Sequence, residues 1–146
     1  MVSTVVPAIE GWFTTGERPA LLGTRCRTCG TAFFPRETTF CRNPACAGEE
    51  LDEVELPRTG HVWSYTDARY QPPPPYIPRH DPYEPFALAA VELDGEGMVV
   101  LGQVADGYGT GDLAIGAPVE LVVEPLYTDA DTDTTYLTWR WRPAHA

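Results

Sequence analysis

The sequence predicts a mainly-β protein: a short N-terminal helix, a small metal-stapled module and a five-stranded barrel. Three observations carry that expectation. All four cysteines fall within 21 positions. Apolar residues near the start take helical spacing, and from Thr59 onward the hydrophobic period switches to two.

The first element is the helix. Ile9, Trp12 and Phe13 stand at i, i+3 and i+4, with Pro7 placed for a first helical position and Gly16 beyond the last turn. Two turns alone are marginal in water, so the apolar face is expected to dock, either on its own domain or on a partner. Residues 1–20 are read as this helical arm.

Residues 21–50 follow as the cysteine module. Cys26, Cys29, Cys41 and Cys46 form a C-x2-C pair, eleven residues, then a C-x4-C pair. Two such pairs can converge on one centre and complete a tetrahedron around Zn²⁺. Gly30 suits a knuckle in which backbone amides turn toward sulfur. The flanking Arg25, Arg27 and Arg42 are expected to lower the cost of a doubly negative Zn(Cys)4 centre. Rubredoxin-like iron, two disulfides and four free thiols are the alternatives. The opening Met1–Pro7 has no basic stretch and no long apolar run, so no signal peptide is read and a reducing, cytoplasmic setting favours metal. Four protein ligands leave no open position, which makes the zinc structural and uses every cysteine in the chain. Thr31–Pro35 reads as the return of a short hairpin in a zinc ribbon, with Phe33, Phe34 and Phe40 expected to shield the metal. The acidic run 49–55 is expected as a connector.

Residues 51–146 carry the strands. Gly60–Thr66 alternates; Phe86–Leu93 and Met98–Ala105 are joined by Asp94-Gly95-Glu96-Gly97, a hairpin signal. A glycine-rich loop follows, with one helical turn expected near Asp112–Gly116. Val119–Val123 and Tyr136–Trp141 are the last strands, linked by a turn over 128–133. Five strands led by a long one fit a closed OB-type barrel, with an open sandwich as the alternative. Between the first two strands, residues 71–85 hold seven of the 15 prolines. This segment cannot pair inside a sheet and favours extended polyproline geometry. With Tyr70, Tyr76 and Tyr83 interleaved, it is read as a stiff aromatic surface for a partner, or else as a rigid solvent loop.

Charge excludes whole classes of function. The net charge is −11, distributed as +2 over residues 1–46 and −13 over 47–146. An acidic body repels phosphate backbones and anionic membrane surfaces, so neither nucleic acid nor membrane is expected as a partner. The absence of lysine removes Schiff-base chemistry and any P-loop lysine. Ser64 and His61 fall on opposite faces of a strand, which argues against a Ser–His dyad. His80 sits in the proline loop and His145 at the terminus. The acids Asp129, Asp131 and Asp133 lack the EF-hand glycine and closing Glu, so they read as a solvated hairpin tip. No catalytic residue and no organic cofactor are assigned.

Cys26-Arg27-Thr28-Cys29-Gly30, the step Phe33-Phe34-Pro35-Arg36, and Cys41 with Cys46 resemble the rubredoxin-like zinc ribbon of the zinc-ribbon/OB-fold acyl-CoA-associated family. Gly60–Thr66, Pro85–Leu93 and Leu113–Glu120 resemble its OB-fold half, so the likeness spans about residues 7–143. The proline loop and the ending Trp139-Arg140-Trp141-Arg142-Pro143 look closest to the accessory subunits of lipid-transfer-type thiolases and steroid side-chain aldolases. The resemblance implies a non-catalytic subunit that supports a thiolase-superfamily enzyme acting on acyl-CoA thioesters. In such a complex Trp12, Phe13, Tyr70, Pro73, Pro74, Tyr76, Arg79 and Tyr83 are expected to face the partner or the substrate entrance. A stand-alone module binding acyl-CoA or an oligonucleotide is the alternative, with Arg58, Arg69 and Arg79 available for phosphates.

Overall fold

The computed structural model describes residues 3–144, so His145 lies outside the described residues. Nine strands appear in chain order: β1 (Thr4–Pro7), β2 (Leu22–Cys26), β3 (Ala32–Phe33), β4 (Leu51–Glu55), β5 (Thr59–Ala68), β6 (Phe86–Leu93), β7 (Val99–Val104), β8 (Pro118–Asp129) and β9 (Thr134–Pro143). Strands β3-β2-β4 make a three-stranded antiparallel sheet, and β1-β9-β7-β6-β5-β8 make a six-stranded one. A further β8–β9 pairing closes β5 to β9 into a five-stranded barrel, with β7 and β9 parallel and β1 added outside. This is the OB topology, and closure removes the exposed edges an open sandwich would leave.

Local sequence explains the closure. The β5–β6 register shifts between Val62 and Ser64, a bulge that bends β5 so that its first residues reach β8. A Cβ at Gly60 would lie 2.4 Å from the Glu92 carbonyl oxygen, so only glycine allows the two strands to approach at that corner. The expected Asp94–Gly97 turn forms, with Gly95 and Gly97 at positive φ and the Leu93 amide donating to the Met98 carbonyl. Alternate residues of the strands then fill the interior: Val62, Ala89, Val91, Leu93, Val100, Val119, Leu121 and Trp141 are all buried. Gly102 is the gap through which two indoles enter, since a Cβ there would be 2.8 Å from Nε1 of both Trp139 and Trp141.

The N-terminal helix does not form. Residues 4–7 instead pair in parallel with 134–137 of β9, and the Ala8 amide continues the ladder to the Leu137 carbonyl. An edge strand satisfies more backbone groups than two isolated helical turns, and Gly11 at φ 82° breaks the chain where the helix would run. Phe13 bridges Leu21 and is only 3% exposed, so it packs the chain's own core rather than an outer face. The acidic run expected as a connector is also ordered, because Leu51–Glu55 pairs along the whole of β2. The helical turn expected at 112–116 is a single 3-10 turn at Thr110–Asp112. Among the described residues no helix is long and apolar enough to cross a membrane.

Candidate functional site

Cys26 ends β2, Cys29 follows in the turn toward β3, and Cys41 and Cys46 lie in the loop that returns to β4. Their four sulfurs lie within 4.8 Å of one another. The Cys26–Cys46 and Cys29–Cys41 separations are 3.8 and 3.6 Å, far from the roughly 2.05 Å of a disulfide. Zn–S bonds of about 2.3 Å place tetrahedral sulfurs about 3.8 Å apart, so the cluster has the size of a Zn(Cys)4 site. Backbone amides support it: Asn43 donates to Cys41 Sγ at 3.5 Å and Gly48 to Cys46 Sγ at 3.3 Å. Gly30, at φ 78°, closes the first knuckle by donating to the Cys26 carbonyl. Gly48 is needed for space, since a Cβ there would stand 2.9 Å from Cys26 Sγ.

The protein itself favours thiolate at one end of the cluster. The Thr31 hydroxyl, 3.1 Å from Cys29 Sγ, and the Thr31 amide bring the Cys29 thiol down to about 6. The Cys29 amide, then that of Thr28, lowers Cys26 against its burial. Burial pushes Cys41 up to about 12, and Cys46 is raised as well. A metal cation would supply what the last two lack, which is the chemistry of a site completed by its ion. The flanking arginines play a different part from the one expected: Arg27 pairs with Asp52, Arg42 with Glu37, and Arg25 reaches across to Glu96 in the β6–β7 turn. Their charge is spent on carboxylates rather than on sulfur. The aromatic shield also departs from expectation. Phe40 is exposed, and Phe34 turns away to pack edge-on against Trp12 and Trp139.

The proline loop lies over the outside of the barrel. Arg79 forks onto Asp106, and the Tyr83 hydroxyl donates to the Ala68 carbonyl at 2.6 Å. Asp106 is shared with Arg140, whose guanidinium also meets Glu124 at 3.3 Å and the Pro125 carbonyl at 3.1 Å. Arg140 is 1% exposed, a buried cation held by two acids and a carbonyl of β8. The Asp106 carboxyl is held below its usual range by the Arg79 hydrogen bonds, working against partial burial. Between loop and barrel runs a cleft of about 250 Å³ lined by Tyr76, Arg79, Tyr83, Phe86, Tyr108 and Arg140. Tyr70, Pro73 and Pro74 stay exposed outside this cleft, and Trp12, stacked on Trp139, lies at the barrel–ribbon seam instead. Sequence reasoning missed Asp106, Glu124 and Arg140; an arginine inside Trp-Arg-Trp-Arg was the available signal.

Among the described residues, His61 and His80 each stand beside a carboxylate. His61 Nδ1 is 3.1 Å from Asp94 Oδ1, and His80 Nε2 is 3.6 Å from Glu84 Oε2. The bulge after Val62 brings Ser64 to the same outer face as His61, against the alternation expected of a regular strand, yet among the described residues Ser64 hydrogen-bonds to neither His61 nor His80.

Comparison with known proteins agrees with this layout. Residues 16–52 match the family model described as the ChsH2 rubredoxin-like zinc ribbon domain, and residues 53–124 the one described as the ChsH2 C-terminal OB-fold domain. The chain is 29% identical over 136 residues to a DUF35 domain-containing scaffold protein of Methanocaldococcus jannaschii, covering 92% of this chain and 89% of that one. It is 32% identical over 116 residues to the benzoylsuccinyl-CoA thiolase subunit BbsA of Geobacter metallireducens, covering 80% of this chain and 70% of the relative. A solved structure described as the Ltp2-ChsH2(DUF35) aldolase superposes with a TM-score of 0.61 at 30% identity, covering 86% of each chain. With both halves matched in order along most of its length, this chain belongs to the ChsH2-type DUF35 family of zinc-ribbon, OB-fold proteins.

Proposed function

We propose that this chain is a non-catalytic accessory subunit that binds and supports a thiolase-superfamily enzyme acting on acyl-CoA thioesters. The enzyme would be a steroid side-chain retro-aldolase or a lipid-transfer-type thiolase. The observation that carries the reading is the likeness, over most of the chain, to a thiolase subunit and to a ChsH2 chain described as part of an aldolase. The clustering of every cysteine in one four-sulfur site supports it, because no thiol is left for nucleophilic work. The four cysteines would hold one structural zinc in a reducing, cytoplasmic compartment. Tyr70, Pro73, Pro74, Tyr76, Arg79 and Tyr83 would lie toward the partner or the acyl-CoA entrance, with neither nucleic acid nor membrane engaged.

Co-expression with the thiolase-superfamily proteins of the same organism tests the reading. A stable complex whose turnover depends on this chain is expected. Independent migration, with full activity of the other protein alone, overturns it.

A further inference from the structure

The outer face of β5, β6 and β7 is an unusual surface for a hydrophilic, acidic chain. The register places Ser64 beside Ala90 and Ala90 beside Leu101. The bulge turns Trp63 outward next to this row, since its neighbour Val62 is buried. On the far side of β5, the Gly116 amide donates to the Val62 carbonyl and the Val62 amide to that of Ala117, which brings Ile115 alongside Trp63. Ile115, Trp63 and Leu101 are 68%, 61% and 59% exposed, and Val99 adds to them one step along β7. Isolated apolar residues on a surface mean little, but Trp63 on β5, Val99 and Leu101 on β7 and Ile115 in the loop before β8, with Ala90 of β6 between the two strands, form a patch that marks an interaction site.

The charges around the row state what kind of partner fits. Strands β5, β6 and β7 contain no lysine or arginine, whereas Asp67 and Glu92 are on them and Asp94 follows directly. Glu92 stands in register between His61 and Val99, at the border of the apolar row. A second copy of this chain, itself at −11, would bring Glu92 and Asp94 against their own likes, and juxtaposed like charges cost several kcal/mol in an interface. The complement is an apolar patch with a basic rim. The row also continues toward the proline loop, because Leu88 pairs with Gln103, which lines the cleft beneath that loop.

We infer that this outer face, centred on Trp63 and Leu101, is where the partner subunit docks through an apolar patch rimmed by lysine or arginine. The inference rests on the accessory-subunit reading and adds the location and chemistry of the contact. Central, desolvated aromatic and aliphatic anchors carry most of an interface's energy, with the charged rim governing its salt dependence.

Sedimentation velocity and calorimetric titration of the full chain against the thiolase-superfamily proteins of the same organism test the proposal. Leu101→Glu and Trp63→Ser, both at exposed positions, are expected to keep the thermal midpoint and to weaken the complex at least tenfold. Ala130→Glu, at the exposed β8–β9 tip, is expected to bind as the unmodified chain does. Affinity is expected to fall as salt is raised through the physiological range. A complex that forms normally with both Leu101→Glu and Trp63→Ser overturns the docking face while leaving the accessory reading intact. An unmodified chain that dimerises alone and becomes monomeric as Leu101→Glu assigns the face to a second copy, which also overturns the inference. No complex with the unmodified chain overturns the accessory reading and this inference with it.

Discussion

Replacing Gly102 by alanine probes the packing on which the barrel depends. The added Cβ would stand 2.8 Å from Nε1 of Trp139, 2.8 Å from Nε1 of Trp141 and 2.9 Å from Trp141 Cδ1. Neither indole has an easy retreat. Trp141 is fully buried, and Trp139 is held among Trp12, Phe13 and Phe34. Overpacking of this kind costs about 1–3 kcal/mol. The Trp139 indole also donates to the Leu101 carbonyl at 3.2 Å, and displacing it forfeits about 1 kcal/mol more. A total of roughly 2–4 kcal/mol is a large share of the roughly 5–15 kcal/mol that holds a domain folded. At about 2–4 °C per kcal/mol for a chain near this size, the thermal midpoint should fall by about 4–16 °C. Thermal unfolding followed by circular dichroism, with tryptophan emission as second probe, measures this directly. Gly109→Ala is the control, since its Cβ would meet nothing within 4 Å and its φ of −142° suits any residue. A Gly102→Ala midpoint within a degree of the parent would refute the claim that the two indoles cross the barrel at that point.

Elemental analysis of purified protein should give one zinc per chain, and removal by a strong chelator should lower the thermal midpoint and expose reactive thiols; unchanged stability after full removal would contradict a structural ion. Gly48→Ala, pressing on Cys26 Sγ at 2.9 Å, should weaken zinc retention about tenfold in a competition with a chromogenic chelator. Because the folded state holds the Asp106 carboxyl below its usual range, its contribution is present above the ordinary carboxylate pKa of about 3.9 and is lost as pH falls through the lower folded value. Asp106→Asn should therefore be less stable than the parent near neutral pH, with the gap closing in acid; a gap independent of pH in urea titrations would contradict the Arg79–Asp106–Arg140 network.

Much of this architecture is legible in the residues. The cysteine spacing located the four-sulfur cluster, and period-two alternation with Asp-Gly-Glu-Gly located the barrel strands, because both signals are local. The failures share a physical cause. Ile9, Trp12 and Phe13 satisfy helical spacing over only five residues, too few to outweigh the offer of a β9 edge more than a hundred positions away. Arg140 has no local sign of burial, because Asp106 and Glu124, which surround it, lie 34 and 16 positions away. Trp63 belongs to a strand on any reading, but the face it occupies depends on a bulge that no local pattern announces. Phe34 sits between cysteines in sequence, and only the tertiary seam shows that it serves the barrel.

That seam gives the metal a reach beyond its own loop. Cys26 terminates β2, and β2 holds β3 so closely that a Cβ at Gly23 would lie 2.5 Å from the Phe33 carbonyl oxygen. The next residue, Phe34, packs edge-on against Trp139 of β9, the strand that closes the barrel against both β7 and β8. Arg140 follows Trp139 and anchors the proline loop through Asp106. Arg25–Glu96 and the Arg58 bond to the Pro19 carbonyl tie the same two parts from other sides. A ribbon held shut by four sulfurs therefore fixes the position of β9, and β9 fixes the loop. In a chain with a modest core and a long proline segment, this is how a closed metal site can serve a surface it never touches: it removes conformational freedom that a partner would otherwise have to remove on docking.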